Sequence, residues 1–110
     1  MAQTMQLDGS IVANGGDAEL DTGGGSGGGI RVDVGTLRGT GQITANGGRG
    51  ERGGGGGGGR VATYYQDAAG FDFAKVTSFG GIDPGGHPSG QDGTVHLQQQ
   101  TFILWAPMDS

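Results

Sequence analysis

One small domain fits in 110 residues, and with apolar residues at 32% and glycine at 29 positions its interior must be thin. A formal charge of −5 leaves no basic face for phosphate, so nucleic acid is not an expected partner, and the absence of cysteine excludes disulfides and thiolate chemistry. Glycine at this abundance without a Gly-X-Y period, and with three prolines, excludes collagen.

The chain opens on polar residues after Met1, without the basic-then-apolar run of a secretory leader, and no stretch approaches the about 20 apolar residues that span a bilayer. The first element is Ile11-Val12-Ala13-Asn14-Gly15-Gly16, a short strand closed by a glycine pair. A glycine-rich arc follows from Asp17 to Gly29. Its Asp17, Glu19 and Asp21 are spaced two apart, as in calcium loops. Glycine is missing at the sixth loop position, and Gly28 stands where the closing glutamate belongs. The three carboxylates are therefore a weak calcium candidate set beside the plainer reading of a solvated acidic arc, and no cofactor is expected. Gly24-Gly25-Ser26-Gly27-Gly28 matches G-x-S-x-G, but no helix pattern follows it, as that motif requires.

Ile30-Arg31-Val32-Asp33-Val34 alternates apolar and charged residues, the period of a half-buried strand. After a compact connection from Gly35 to Gln42, the first block returns as Ile43-Thr44-Ala45-Asn46-Gly47-Gly48, 32 residues on. A second arc, Arg49 to Arg60, contains the Gly53–Gly59 heptad. Without Cβ atoms such a tract runs extended and lets backbones approach closely, which predicts a packed polyproline-II-like layer rather than a mobile loop. Arg49-Gly50-Glu51-Arg52-Gly53-Gly54 has the look of an RNA-binding RGG segment, contradicted by Glu51 and by the net charge. Val61-Ala62-Thr63-Tyr64-Tyr65 repeats the second strand. The only lysine, Lys75, follows no glycine loop, so a phosphate-loop motif is absent.

Val76-Thr77-Ser78-Phe79-Gly80-Gly81 returns the first block once more, 33 residues on. An arc from Ile82 to Thr94 holds His87, and Val95-His96-Leu97 completes the second block. Two scattered histidines make no zinc set, so no metal site is expected. The tail, Phe102-Ile103-Leu104-Trp105-Ala106 before Pro107, is a continuous apolar run that calls for burial on both faces, as a cap over the last unit or as a segment docked on another subunit.

A fixed period of this size is the mark of stacked units that bury their apolar sides against their neighbours. The expected fold is all-β: a short parallel β-helix of about three coils, near residues 5–34, 36–65 and 71–98, with glycine-rich, polyglycine-II-like arcs. Residues 1–98 form the repeat domain and 99–110 the capping or docking segment. Each period is expected to hold two strands. Asn14 and Asn46, stacked one coil apart, form a short structural ladder that Phe79 ends. In stacked register Asp33 is expected opposite Tyr64 and His96, the one cluster that resembles catalytic groups.

The run from Ser26 through Ile30, the segment Thr36-Leu37-Arg38-Gly39-Thr40-Gly41-Gln42-Ile43-Thr44-Ala45-Asn46-Gly47-Gly48, the heptad and Arg60 to Tyr65 together resemble the glycine-rich repeat modules of very large bacterial surface proteins. That resemblance covers about residues 7–98. It implies a right-handed parallel β-helix with an adhesin or matrix role and no catalytic residues. The sequence thus predicts a non-enzymatic, extracellular or cell-surface structural protein that self-assembles by stacking β edges into a fibre or layer, with Phe102, Ile103, Leu104 and Trp105 as the docking strand. The alternative is a glycan- or receptor-binding adhesin or phage-fibre module that uses Tyr64, Tyr65, His96 and the arcs.

Overall fold

In the computed structural model, residues 3–86 and 88–100 are described. Nine strands and one short 3-10 turn account for the regular structure among them, with no α-helix. The chain passes three times through the same three sheets. Pass 1 lays down β1 (Thr4–Gln6), β2 (Ser10–Val12) and β3 (Gly29–Asp33). Pass 2 adds β4 (Thr36–Gly39), β5 (Gln42–Thr44) and β6 (Arg60–Tyr65). Pass 3 adds β7 (Asp67–Phe71), β8 (Val76–Thr77) and β9 (Thr94–Gln99). The sheets are β1-β4-β7, β2-β5-β8 and β3-β6-β9, each with three parallel strands.

Pairing follows the repeat. Ile11 lies beside Ile43 and Ile43 beside Val76; Ile30 lies beside Val61 and Val61 beside Val95. Each period holds three strands, however, not two. The segment expected to be a plain connection contains β4, and β7 begins at Asp67, ahead of the expected third coil. Thr4-Met5-Gln6, Thr36-Leu37-Arg38 and Asp67-Ala68-Ala69 share no recognisable block, and the β4–β7 register shifts between Thr36 and Arg38. Backbone pairing needs no sequence likeness, so this sheet left no repeat to read.

The interior is as thin as the composition requires. Leu37, Ile43 and Ala45 are fully buried and Val61 nearly so, with Leu7, Val32, Phe71 and Val76 around them. All of the most deeply buried residues belong to pass 2, which has a neighbour above and below. Thr63 sits among them between Val32 and Leu97 in the register, fully buried, and its hydroxyl has no hydrogen-bond partner among the described residues. An unmet buried hydroxyl costs about 1–3 kcal/mol. Thr63→Val, which keeps the shape, is expected to raise stability by about 1–2 kcal/mol in urea unfolding.

The arcs extend β2-β5-β8 outward and return to β3-β6-β9. Their hydrogen bonds recur every third residue. The amides of Gly24 and Gly27 donate to Gly54 and Gly57 of the next pass, and those of Gly55 and Gly58 to Pro88 and Gln91. Between outgoing and returning limbs, Gly56 donates to Gly48 and Gly59 to Ala45, with Gly90 to Gly81 and Gly93 to Ser78 one pass later. A three-residue interval equals the turn of the polyproline-II helix, and these hydrogen bonds join the limbs laterally into a layer. At the arc tips Asp21 and Arg52 turn the chain with positive φ, 61° and 71°, and their side chains pair at 3.3 Å. Both are exposed, so the pair adds little stability.

Candidate functional site: the third sheet, the ladders and the open ends

The outward face of β3-β6-β9 carries a row of polar and aromatic side chains. Along β3, Arg31 and Asp33 point the same way because strand side chains alternate, and their charged groups lie 3.6 Å apart. Across the sheet, the Arg31 guanidinium lies 4.5 Å from the Tyr64 ring centroid, and the Tyr64 and His96 rings are 5.8 Å apart, tilted by 58°. His96 Nε2 and Gln98 Oε1 are 3.1 Å apart. An open groove lined by Gly27–Gly29, Gly58, Gly59, Arg60, Gly93 and Thr94 crosses the beginning of these strands.

The register differs from the expected one in a single respect. Asp33 does lie beside Tyr64, but Tyr64 lies beside Gln98, and His96 lies beside Ala62. His96 reaches Tyr64 diagonally, so Asp33, Tyr64 and His96 do not form a row. Tyr65 faces the other side of the strand, where its ring packs 5.0 Å from Phe73. Asp33 is held by Arg31, and the row offers no pair of carboxylates in position for acid–base work.

Asn14 and Asn46 act on backbone. Asn14 Oδ1 accepts from the Asn46 amide and Asn46 Oδ1 from the Phe79 amide, both at 2.8 Å; the Thr77 hydroxyl donates to Asn46 Oδ1 as well. The Arg49 amide donates to Asp17 Oδ1 at 2.9 Å in the same manner. Side chains of one pass thus meet outward-pointing amides of the next, which an extended glycine layer otherwise leaves to solvent. Asp8 serves a corresponding turn. It accepts from the Thr40 amide at 3.0 Å and from Gln6, and these bonds, the Thr40 amide foremost, lower its pKa below the usual carboxylate value.

The calcium candidates do not converge. Asp17 is engaged with Arg49, Asp21 with Arg52, and no three His, Asp or Glu side chains among the described residues come together as a metal set. His87 and the expected docking strand Phe102–Trp105 lie outside the described residues. Among the described residues no helix is long and apolar enough to cross a membrane.

The sequence reading expects open β edges at both ends of the stack, and what it does not show is how the two ends differ. Among the described residues, the outer strands β1, β2 and β3 on one side and β7, β8 and β9 on the other each have a strand neighbour on one side only. Val95 and Leu97 of β9 are each 37% exposed at the pass-3 end. What the fold defines is an all-β chain of three parallel sheets with an exposed polar row and, among the described residues, two open ends. The chain matches no protein-family model, no curated protein and no solved structure.

Proposed function

We propose that the chain is a non-enzymatic structural protein of the cell exterior: a short parallel β-helix that assembles with copies of itself through its open strand edges into a fibre or surface layer. The observation that carries this reading is the pair of ends, each with three parallel edge strands that have no further neighbour among the described residues, over a thin interior. An edge that goes on pairing satisfies its backbone groups and covers the half-exposed apolar side chains together. The apolar segment Phe102–Trp105 is the docking strand of this reading, in the strand-addition mode.

The exposed row of Arg31, Tyr64 and His96 gives less support to a glycan-binding module. Sugars stack on a bare aromatic face, and here the guanidinium of Arg31 already lies over the ring of Tyr64. The row reads better as a ladder that ties the third sheet together.

Removing residues 101–110 tests the assembly. Sedimentation of the full chain is expected to show particles of many chains, and the shortened chain particles of no more than two. Unchanged polymers in the shortened chain would rule out the docking strand.

A further inference from the structure

The two ends of the stack are chemically different. Hydrogen bonds fix which arc residues correspond from pass to pass: Gly16, Gly48 and Gly81 form one column, Gly25, Gly56 and Gly90 a second, and Gly28, Gly59 and Gly93 a third. A Cβ at Gly48, Gly56 or Gly59 would lie 2.0 Å from a carbonyl oxygen of pass 1, and one at Gly81, Gly90 or Gly93 would lie 1.9 Å from a carbonyl oxygen of pass 2. Glycine is compulsory there because a pass lies directly above. Among the described residues nothing lies within 4 Å at Gly16, and at Gly25 and Gly28 the nearest atoms are at 3.2 and 3.4 Å. Pass 1 keeps glycine at three positions where no carbonyl of a neighbouring pass demands it; only Gly25 is tight, against the Gly16 amide nitrogen of its own pass.

The opposite end behaves otherwise. Gly24 and Gly55 form a downward-facing column, as do Gly27 and Gly58. A Cβ at any of the four would meet a carbonyl oxygen of the following pass at 1.8 to 2.2 Å. The pass-3 successors are Ser89 and Asp92. Gly15 and Gly47 give their amides to the following pass, at Asn46 and Phe79, whereas the corresponding amide of Gly80 is taken at 2.8 Å by Asp92 Oδ1. Asp92 thus occupies the place of a further pass, and in the glycine layer pass 3 is a finished end.

Two further observations mark the pass-1 end as unfinished. The amides of Gly48 and Gly81 donate to Gly25 and Gly56 of the preceding pass, but the amide of Gly16 has no partner among the described residues. Met5, Ile11 and Ile30 are only partly buried, while the residues beside them in pass 2, Leu37, Ile43 and Val61, are at most 1% exposed.

We infer that the pass-1 end docks against the pass-1 end of a second copy, an inference that rests on the self-assembly reading above. The occupant must itself present glycine where backbones meet. A pass-3 end offers Ser89 and Asp92 there, so head-to-tail stacking fails in this layer, whereas a second pass-1 end offers Gly16, Gly25 and Gly28. A two-fold contact sets the glycine limbs antiparallel, and antiparallel limbs already hydrogen-bond at three-residue intervals within each pass. Such a contact closes on itself, and a fibre arises by alternating it with the tail-mediated contact at the other end.

The test uses the full chain. Gly16→Arg places a large side chain where the isolated chain has open space, so circular dichroism and the thermal midpoint are expected to stay unchanged while sedimentation falls from fibres to particles of two chains. Gly16→Asp, of opposite charge, is expected to do the same, which separates blocked docking from a charge effect or a folding defect of one variant. Asp92→Gly is expected to leave particle size as it was, and averaged micrographs of wild-type fibres should show two-fold axes across them. Assembly that survives both Gly16 variants, or polar fibres with one kind of joint, overturns the inference. A wild-type chain that stays monomeric at every concentration instead sinks the assembly reading beneath it.

Discussion

Gly56→Ala is expected to remove the cooperative unfolding transition, or to shift it by more than about 3 kcal/mol in urea, while its neighbour Gly57→Ala leaves stability within about 0.5 kcal/mol. The two residues are adjacent in a run of seven glycines, and composition gives no reason to separate them. The layer does. A Cβ on Gly56 would stand 2.0 Å from the carbonyl oxygen of Gly25 and 2.5 Å from its carbon, both backbone atoms fixed by the hydrogen bonds on either side. Relief requires moving a whole limb, which breaks the bonds of Gly56 to Gly48 and of Gly81 to Gly56. Gly57 faces outward, with its nearest neighbour, the Gln91 carbonyl oxygen, at 3.8 Å. Equal losses from the two substitutions would show that the arcs are mobile loops and not a packed layer.

The second large effect is expected at Ile43, where alanine should cost about 2–5 kcal/mol. Ile43 is fully buried between Ile11 and Val76, so truncation opens a cavity that pairing on both sides prevents from closing. Ile11→Ala, at the half-covered pass-1 end, should cost less, roughly 1–2 kcal/mol in the isolated chain, because less apolar surface leaves water there. Urea unfolding of the two variants measures the gradient. Equal costs would mean that stability is not concentrated in the middle pass. In an assembled particle the Ile11 value should rise toward that of Ile43, since docking buries the same surface.

Most of the pairing was legible in the chain. Ile11, Ile43 and Val76, and Ile30, Val61 and Val95, recur because each must fill the same slot in successive passes, and a repeated slot selects a repeated residue type. The Asn14–Asn46 column was visible for a like reason, since an outward amide of the next pass needs an acceptor at that height. The strands β1, β4 and β7 were not visible, because one buried side chain such as Leu37 is enough to anchor a strand of three or four residues and leaves no pattern. His96 opposite Tyr64 is an expectation at odds with the alignment of those blocks: with Val95 beside Val61, His96 falls beside Ala62 and Gln98 beside Tyr64.

By itself the sequence determined that like blocks recur at a fixed interval around a meagre interior, because periodicity and composition are properties of the chain. Only the tertiary structure decided which glycines are compulsory and which are optional. That distinction depends on what backbone lies across from each Cα, and adjacent glycines within one tract face different neighbours. The same fact separates the two ends: Ser89 and Asp92 against Gly16, Gly25 and Gly28 is an ordinary difference in composition until the passes are laid over one another.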